Sequence, residues 1–213
     1  MRNQHTPIAA EGYPFIAGAG IITLVLVLLS WKAASVLALA LTFFVVYFFR
    51  NPKRNPPEGE NNVLAPADGV ITYLGSARES HLDAEMTKIS IFMSVFDVHV
   101  NRIPCSGKVT DTFYLKGKFH DARDDKATFE NEQGGMIIET GHGIRIVVVQ
   151  VAGLIARRIV SYVNKGDMLE RGRRFGMIRF GSRLDVYLPP GADILVKPGQ
   201  RTVAGETVLG RLP

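Results

Sequence analysis

The sequence predicts a mainly β protein, with antiparallel sheets arranged as in a barrel-sandwich domain, that carries a hydrophobic helical hairpin at its N-terminus. Three observations support this prediction. Apolar residues are concentrated between Phe15 and Phe49, where the only charge is Lys32. Beyond residue 60, short β-rich runs alternate with Gly, Pro, Asn and Asp turns. Near the C-terminus, turn glycines recur at a spacing of six residues.

The composition is consistent with two kinds of structure in one chain. The 213 residues are enough for one ordinary domain and an additional segment. Hydrophobic residues make up 46% of the chain beside 21% charged residues, so the apolar excess must be concentrated in one segment. The single Cys105 excludes an internal disulfide and provides no basis for a metal site. The net charge is +5, but basic residues are not interleaved with aromatic ones, so nucleic acid is not predicted as a partner.

Two apolar runs, residues 15–30 and 33–49, form the predicted hairpin, within a membrane anchor that covers residues 1–54. A helix of such a run spans roughly 25 Å of a bilayer core that is about 30 Å thick. One long tilted helix through Trp31 and Lys32 is the alternative. A cleaved signal peptide is disfavoured because the apolar stretch is too long and lacks a small-residue cleavage site.

Three basic residues follow the second run and predict the orientation of the anchor: Arg50, Lys53 and Arg54. Lys and Arg close to a membrane span tend to remain on the cytoplasmic side. The expected location is therefore the cell membrane, with the globular domain, residues 55–213, facing the cytoplasm. A linker rich in Pro, Gly and Glu, residues 55–60, leads to strands that begin near Val63.

A basic stretch lies between Arg157 and Arg183, where eight basic residues face only two acidic ones. It is either a solvated face or a surface that attracts anionic lipid headgroups.

The segment MIRFGSRLDVYLPP, residues 177–190, places a Gly-Ser pair before a strand-like run. A bare Gly-Ser pair indicates only a turn. In this context the segment resembles the self-processing site of phosphatidylserine decarboxylases of the short bacterial and archaeal type. Three further segments agree with that resemblance in the order expected: APADG at residues 65–69, FDVHVNRIP at 96–104 and VQVAGLIARRI at 149–159.

The resemblance implies that the chain is a proenzyme that cuts itself between Gly181 and Ser182. The Ser182 hydroxyl would attack the Gly181 carbonyl, and Ser182 would end as a covalent pyruvoyl group, the only cofactor implied. The products would be a β chain, residues 1–181, and an α chain, residues 182–213. A serine hydroxyl needs a base with an oriented carboxylate behind it, for which His99 and Asp68 are the candidates. By themselves, both residues also fit structural roles in a strand and a turn.

The chain departs from the longer members of the family at one position. Those members have a second histidine three residues after the first, where this chain has Arg102. His99 is therefore expected to serve self-cleavage, decarboxylation or both. Arg102 is a candidate for binding a substrate carboxylate or phosphate through its planar guanidinium.

The implied activity is decarboxylation of phosphatidylserine to phosphatidylethanolamine and CO2, through a Schiff base between the pyruvoyl ketone and the substrate amine. The implied partners are the phospholipid, the membrane and the two chains of one precursor, and a homo-oligomer is left open. No metal is implied. Two alternatives remain: a membrane-anchored carrier of the lipoyl or biotinyl type, modified on Lys126 of an Asp-Lys-Ala tripeptide, and a non-catalytic interaction domain.

Overall fold

The computed structural model describes residues 6–123, 127–154, 158–179 and 181–213, with Phe129 described by its backbone alone. The chain divides into two compact units, and the boundary between them in the sequence lies between Lys53 and Arg54.

The N-terminal unit is a pair of helices. A 3-10 turn at Ala10–Gly12 leads into helix α1, Tyr13–Leu28, and helix α2 covers Lys32–Phe48. The helices pack against each other, and the hydroxyls of Thr23 and Thr42 lie 3.0 Å apart between them. The predicted helical hairpin is therefore confirmed. The continuous helical segment Ala10–Leu28 is long and apolar enough to cross a membrane, whereas α2 is shorter.

The C-terminal unit consists almost entirely of strands, which are short and separated by turns. They are β1 Asn62–Leu64, β2 Gly69–Glu79, β3 Ala84–Met93, β4 Val100–Arg102, β5 Gly107–Leu115, β6 Gln133–Glu139, β7 Arg145–Ala152, β8 Arg158–Ser161, β9 Met168–Leu169, β10 Arg174–Arg179, β11 Ser182–Leu188, β12 Asp193–Ile194, β13 Arg201–Thr202 and β14 Val208–Arg211. One short helix, α3, covers Ala127–Glu130.

The strands form three antiparallel sheets. The largest has eight strands in the order β13-β2-β3-β11-β7-β6-β5-β9, and the two smaller sheets have the orders β4-β10-β8 and β1-β14-β12. The prediction of a mainly β protein with antiparallel sheets is therefore confirmed.

Strand β11 lies in the middle of the large sheet, between β3 and β7. Its side chains alternate between the two faces, as the two-residue period of a strand requires. Ser182, Leu184 and Val186 lie on the face that packs into the main core, where Leu184 and Val186 are fully buried. Arg183 and Asp185 lie on the opposite face.

The basic stretch is not a continuous solvated face. Arg174 and Arg183 are buried, whereas Arg158 and Arg173 are exposed, and Arg157 lies outside the described residues. Arginines are rarely buried unless they are paired. The buried members of the stretch are therefore part of the interior of the domain.

Candidate active site

Ser182 is the first residue of β11, paired with Met93 of β3 on one side and Ala152 of β7 on the other. The residue is fully buried, and its Oγ has no hydrogen-bond partner among the described residues. A buried hydroxyl is normally paired, because leaving it unpaired costs about 1–3 kcal/mol. Ser182 therefore has a hydroxyl that is not engaged in holding the fold together.

Gly181 precedes this serine with a φ of +35°, in the region that favours glycine. Its carbonyl packs onto Gly153, just beyond the end of β7. A Cβ atom added at Gly153 would lie 2.1 Å from the Gly181 oxygen and 2.9 Å from its carbon. Gly153 thus provides the space that this carbonyl occupies. The sequence reasoning missed Gly153, although it lies in the segment 149–159 that carries part of the family resemblance.

His99 is fully buried and immediately precedes β4. Its Nδ1 lies 3.0 Å from the backbone oxygen of Asp97. Because a carbonyl oxygen can only accept a hydrogen bond, we assign the ring proton to Nδ1. In the neutral ring, Nε2 is then the basic nitrogen.

The Asp97 carboxylate holds the loop that carries His99. It accepts hydrogen bonds from the backbone and hydroxyl of Ser94, at 2.8 and 2.7 Å, and from Arg201 at 2.5 Å. Ser94 directly follows Met93, the partner of Ser182 in the sheet. The sequence reasoning also missed Asp97, and its position two residues before His99 was the available signal.

Strand pairing brings His99 to the end of the domain where Ser182 lies. Val100, the next residue after His99, pairs with Met177 of β10. Strand β10 ends at Arg179 and leads through residue 180 to Gly181. His99 therefore lies beside the chain segment that leads into the Gly-Ser pair.

Asp68 belongs to a different network. Its carboxylate accepts hydrogen bonds from Arg54 and from the backbone of Ala204, both at 2.7 Å. Asp68 lies two residues before Val70, which is two strands away from Arg183 in the same row of the sheet. Since neighbouring strands are about 4.8 Å apart, the backbones of Val70 and Arg183 are about 10 Å apart.

Arg102 is buried close to Asp68. Its Nη1 donates to the Gly172 carbonyl at 3.0 Å. Burial is the main cause that lowers the pKa of Arg102, to about 10, and the neighbouring Arg54 acts in the same direction, whereas Asp68 opposes it. Arg102 is therefore protonated at neutral pH and contributes positive charge beside Asp68.

Two features of the sequence analysis lie outside the described residues: Lys126 of the Asp-Lys-Ala tripeptide and the residue between Arg179 and Gly181. Within the described residues, no group of three or more His, Cys, Asp or Glu side chains could hold a metal ion.

Comparison with known proteins identifies the family of the chain. The sequence model of the family described as phosphatidylserine decarboxylase matches residues 41–210. The chain is 66% identical to a phosphatidylserine decarboxylase proenzyme of Geotalea uraniireducens, over the full length of both. Similar full-length matches, at 66% and 56% identity, are proenzymes of the same name from Geobacter metallireducens and Syntrophotalea carbinolica. The chain therefore belongs to the phosphatidylserine decarboxylase family.

Proposed function

We propose that this chain is a proenzyme that cuts itself between Gly181 and Ser182 and then decarboxylates phosphatidylserine at the new N-terminus of residue 182. Membership of the family makes the chain a decarboxylase, which is a lyase. The proposal for the cleavage site rests on one observation above all. The Ser182 hydroxyl is buried and unengaged, and it adjoins a carbonyl that packs onto a glycine.

The first step of the proposed cleavage joins Ser182 Oγ to the carbonyl carbon of Gly181. The hydroxyl proton passes to a base, the bond between that carbon and the Ser182 nitrogen breaks, and the nitrogen takes up a proton. The peptide thereby becomes an ester. The absence of a side chain at Gly153 supports this step. The planar carbonyl carbon of Gly181 becomes tetrahedral when it is attacked, and its oxygen needs room to move.

His99 is the proposed base for this step. Its Nδ1 is bound to the Asp97 carbonyl, which leaves Nε2 as the nitrogen that can take a proton. A serine hydroxyl is a weak nucleophile, so an adjacent base is required. Asp68 and Arg102 are proposed to contribute charge to the site as parts of one network with Arg54.

The second step breaks the ester by elimination. Ser182 loses its Cα proton, and the bond between its Cβ and the ester oxygen breaks, which releases the Gly181 carboxylate at the end of the β chain. Hydrolysis of the remaining unsaturated residue releases ammonia and leaves a pyruvoyl group. Residue 182 is buried and its hydroxyl makes no hydrogen bond to the described residues, which is compatible with such a group. Its ketone supplies an electron sink for the loss of CO2 from the substrate.

The membrane is the proposed source of the substrate. The apolar segment Ala10–Leu28 supports membrane association, and phosphatidylserine is a membrane lipid. Arg50, Lys53 and Arg54 support a cytoplasmic position for the β unit, because basic residues next to a span remain on that side.

The intact-mass spectrum of the denatured full chain tests the proposed cleavage. Dividing 23.4 kDa in the ratio of 181 to 32 residues gives fragments of about 20 and about 3.5 kDa. We expect these two masses for the unaltered chain, with no free amine on the smaller one, and a single uncut chain for Ser182→Ala. Ser161→Ala, which changes an exposed serine in β8, is the matched control and should be cut normally. Normal cleavage of Ser182→Ala would rule out this site.

The same preparations test the reaction. The cut chain should release CO2 from phosphatidylserine vesicles and form phosphatidylethanolamine, and the uncut Ser182→Ala chain should do neither. A cut chain without this activity would separate self-processing from the proposed substrate.

A further inference from the structure

The face of the large sheet opposite to the Ser182 side chain contains a cavity of about 560 Å³. Residues on β2, β3 and β11 and on the segment around α3 line it. Its lining includes four cationic side chains, which are Arg78, Lys88, Arg123 and Arg183. The cavity therefore lies beside Arg183, the neighbour of Ser182 in the chain.

Two of these cations are buried and share one carboxylate. The side chains of Lys88 and Arg183 are 8% and 5% exposed, and both pair with Asp185, which is 2% exposed. The Lys88 ammonium lies 3.1 Å from Asp185, and Arg183 donates to both carboxylate oxygens at 2.8 and 3.0 Å. Arg183 also donates to two neutral acceptors, the Ala122 carbonyl and the Thr128 hydroxyl. This trio carries one positive charge in excess, and an unbalanced buried charge is costly.

The two outer cations do not change this balance. Arg78 pairs with Asp83 at 2.7 Å, and Arg123 pairs with Asp121 at 2.5 Å, and all four side chains are at least 42% exposed. Each exposed pair is neutral, so the two outer cations leave the charge of the buried trio unchanged.

A hydroxyl in the cavity also lacks a partner. Ser90 is 2% exposed and pairs directly with Asp185 in the sheet, so both side chains lie on the same face. Within the part of the chain that the structure describes, Ser90 Oγ makes no hydrogen bond. A ligand oxygen in the cavity would accept the hydrogen bond that this buried hydroxyl is not making.

We propose that this cavity is a binding site for a phosphate group. A phosphate offers several anionic oxygens, which suits the combination of a guanidinium, an ammonium and a hydroxyl. A substrate carboxylate suits the cavity less well. Tight binding of the group that leaves as CO2 would stabilise the ground state relative to the transition state, whereas a phosphate keeps its charge throughout the reaction.

The phosphate comes from one of two sources, a phospholipid headgroup or free phosphate in solution. Only the first of these rests on the proposed function, in which phosphatidylserine is the substrate. Calorimetric titration of the full Ser182→Ala chain in dodecyl maltoside distinguishes them. The probes are inorganic phosphate and glycerophosphoserine, with serine and chloride as ligands that carry no phosphate.

We expect at least one phosphate-bearing probe to bind and the ligands without phosphate to remain unbound. Binding of glycerophosphoserine that is displaced by inorganic phosphate identifies the headgroup as the source, and binding of inorganic phosphate alone identifies free phosphate. Arg123→Gln and Ser90→Ala should each weaken binding, by at least about tenfold for Arg123, because a hydrogen bond to a charged group contributes about 1.5–3 kcal/mol. Arg145→Gln is the matched control, since Arg145 is also an exposed arginine paired with a carboxylate, Glu139, but does not line the cavity.

Absence of binding by both phosphate-bearing probes would overturn the proposal, as would binding that neither Arg123→Gln nor Ser90→Ala weakens. The Ser182→Ala chain neither cuts itself nor decarboxylates under the proposed mechanism. A negative titration therefore leaves the cleavage of the unaltered chain untouched, and failure of that cleavage leaves the titration interpretable.

Discussion

At the scale of single residues, the close contact between the Gly181 carbonyl and Gly153 positions the group that is attacked in the proposed cleavage. The Gly181 carbonyl occupies the position that any side chain at Gly153 would need. A misplacement of about 1 Å in a reacting group costs on the order of 100-fold in rate. Gly153 is therefore a positioning residue for the proposed cleavage, acting through the space that it leaves open.

Substitution of Gly153 by Ala should slow self-cleavage on the order of 100-fold, because the new Cβ would displace the Gly181 carbonyl from its position. The fraction of cut chain over time, read from denaturing gels, measures the effect. Gly141→Ala is the control, because a Cβ there meets no atom within 4 Å. Cleavage of Gly153→Ala at the normal rate would show that the carbonyl does not depend on this space.

At the scale of elements, β11 connects the proposed cleavage site to the core. All seven of its residues pair with β3, and six pair with β7. Its first residue is the proposed N-terminus of the α chain. The pairs from Arg183 onwards lie beyond the Gly181–Ser182 peptide, so the short chain should remain bound after the cut.

Leu184→Ala should weaken the hold on the α chain. Leu184 is fully buried in the main core, and removal of such a side chain costs about 2–5 kcal/mol. We expect the 182–213 chain to co-elute with the 1–181 chain in size-exclusion chromatography, and to separate at a lower urea concentration in the variant. Met168→Ala, at a site that is 73% exposed, should separate at the normal concentration. Equal urea midpoints for Leu184→Ala and the unaltered chain would place the holding contacts elsewhere.

At the scale of the whole molecule, an apolar helical unit and a β unit share one chain. Leu24 of α1 and Leu37 of α2 are 58% and 73% exposed. Exposed leucines on both helices are unfavourable in water but suit contact with lipid or another apolar partner. The helical unit is accordingly the part of the chain that we expect to hold it at the membrane.

The double variant Leu24→Arg, Leu37→Arg should release the chain from membranes, because an arginine near the centre of a span costs about 2.5–3.5 kcal/mol on insertion scales. Partition between pellet and supernatant after a carbonate wash measures this. The single variant Leu195→Arg, which changes a 43% exposed leucine in the β unit, is the control and should stay in the pellet. Complete retention of the double variant would mean that the β unit binds the membrane by itself.

Local sequence patterns predicted much of this protein's secondary structure and its family. Two apolar runs with a break at Trp31 predicted the helical pair, because a long run of apolar residues has few ways to satisfy its backbone except as a helix. Alternating strands and turn glycines predicted the antiparallel sheets. The Gly-Ser pair and its companion segments identified the family and nominated Ser182, Gly181, His99, Asp68 and Arg102. The roles of these five residues are still proposals.

Only the tertiary structure decided which of these residues meet. Gly153 and Gly181 lie 28 positions apart, and their contact follows from the register of β7 against β11, which no local pattern reveals. The pairing of Asp97 with Arg201, and that of Asp68 with Arg54, likewise depend on how separate loops come together. The basic stretch also appeared uniform in sequence, yet Arg183 is buried beside Asp185 in β11, whereas Arg173, which precedes β10, is exposed. The reason is physical: local pattern fixes which face a side chain takes, whereas its partner is set by the pairing of strands far apart in the chain.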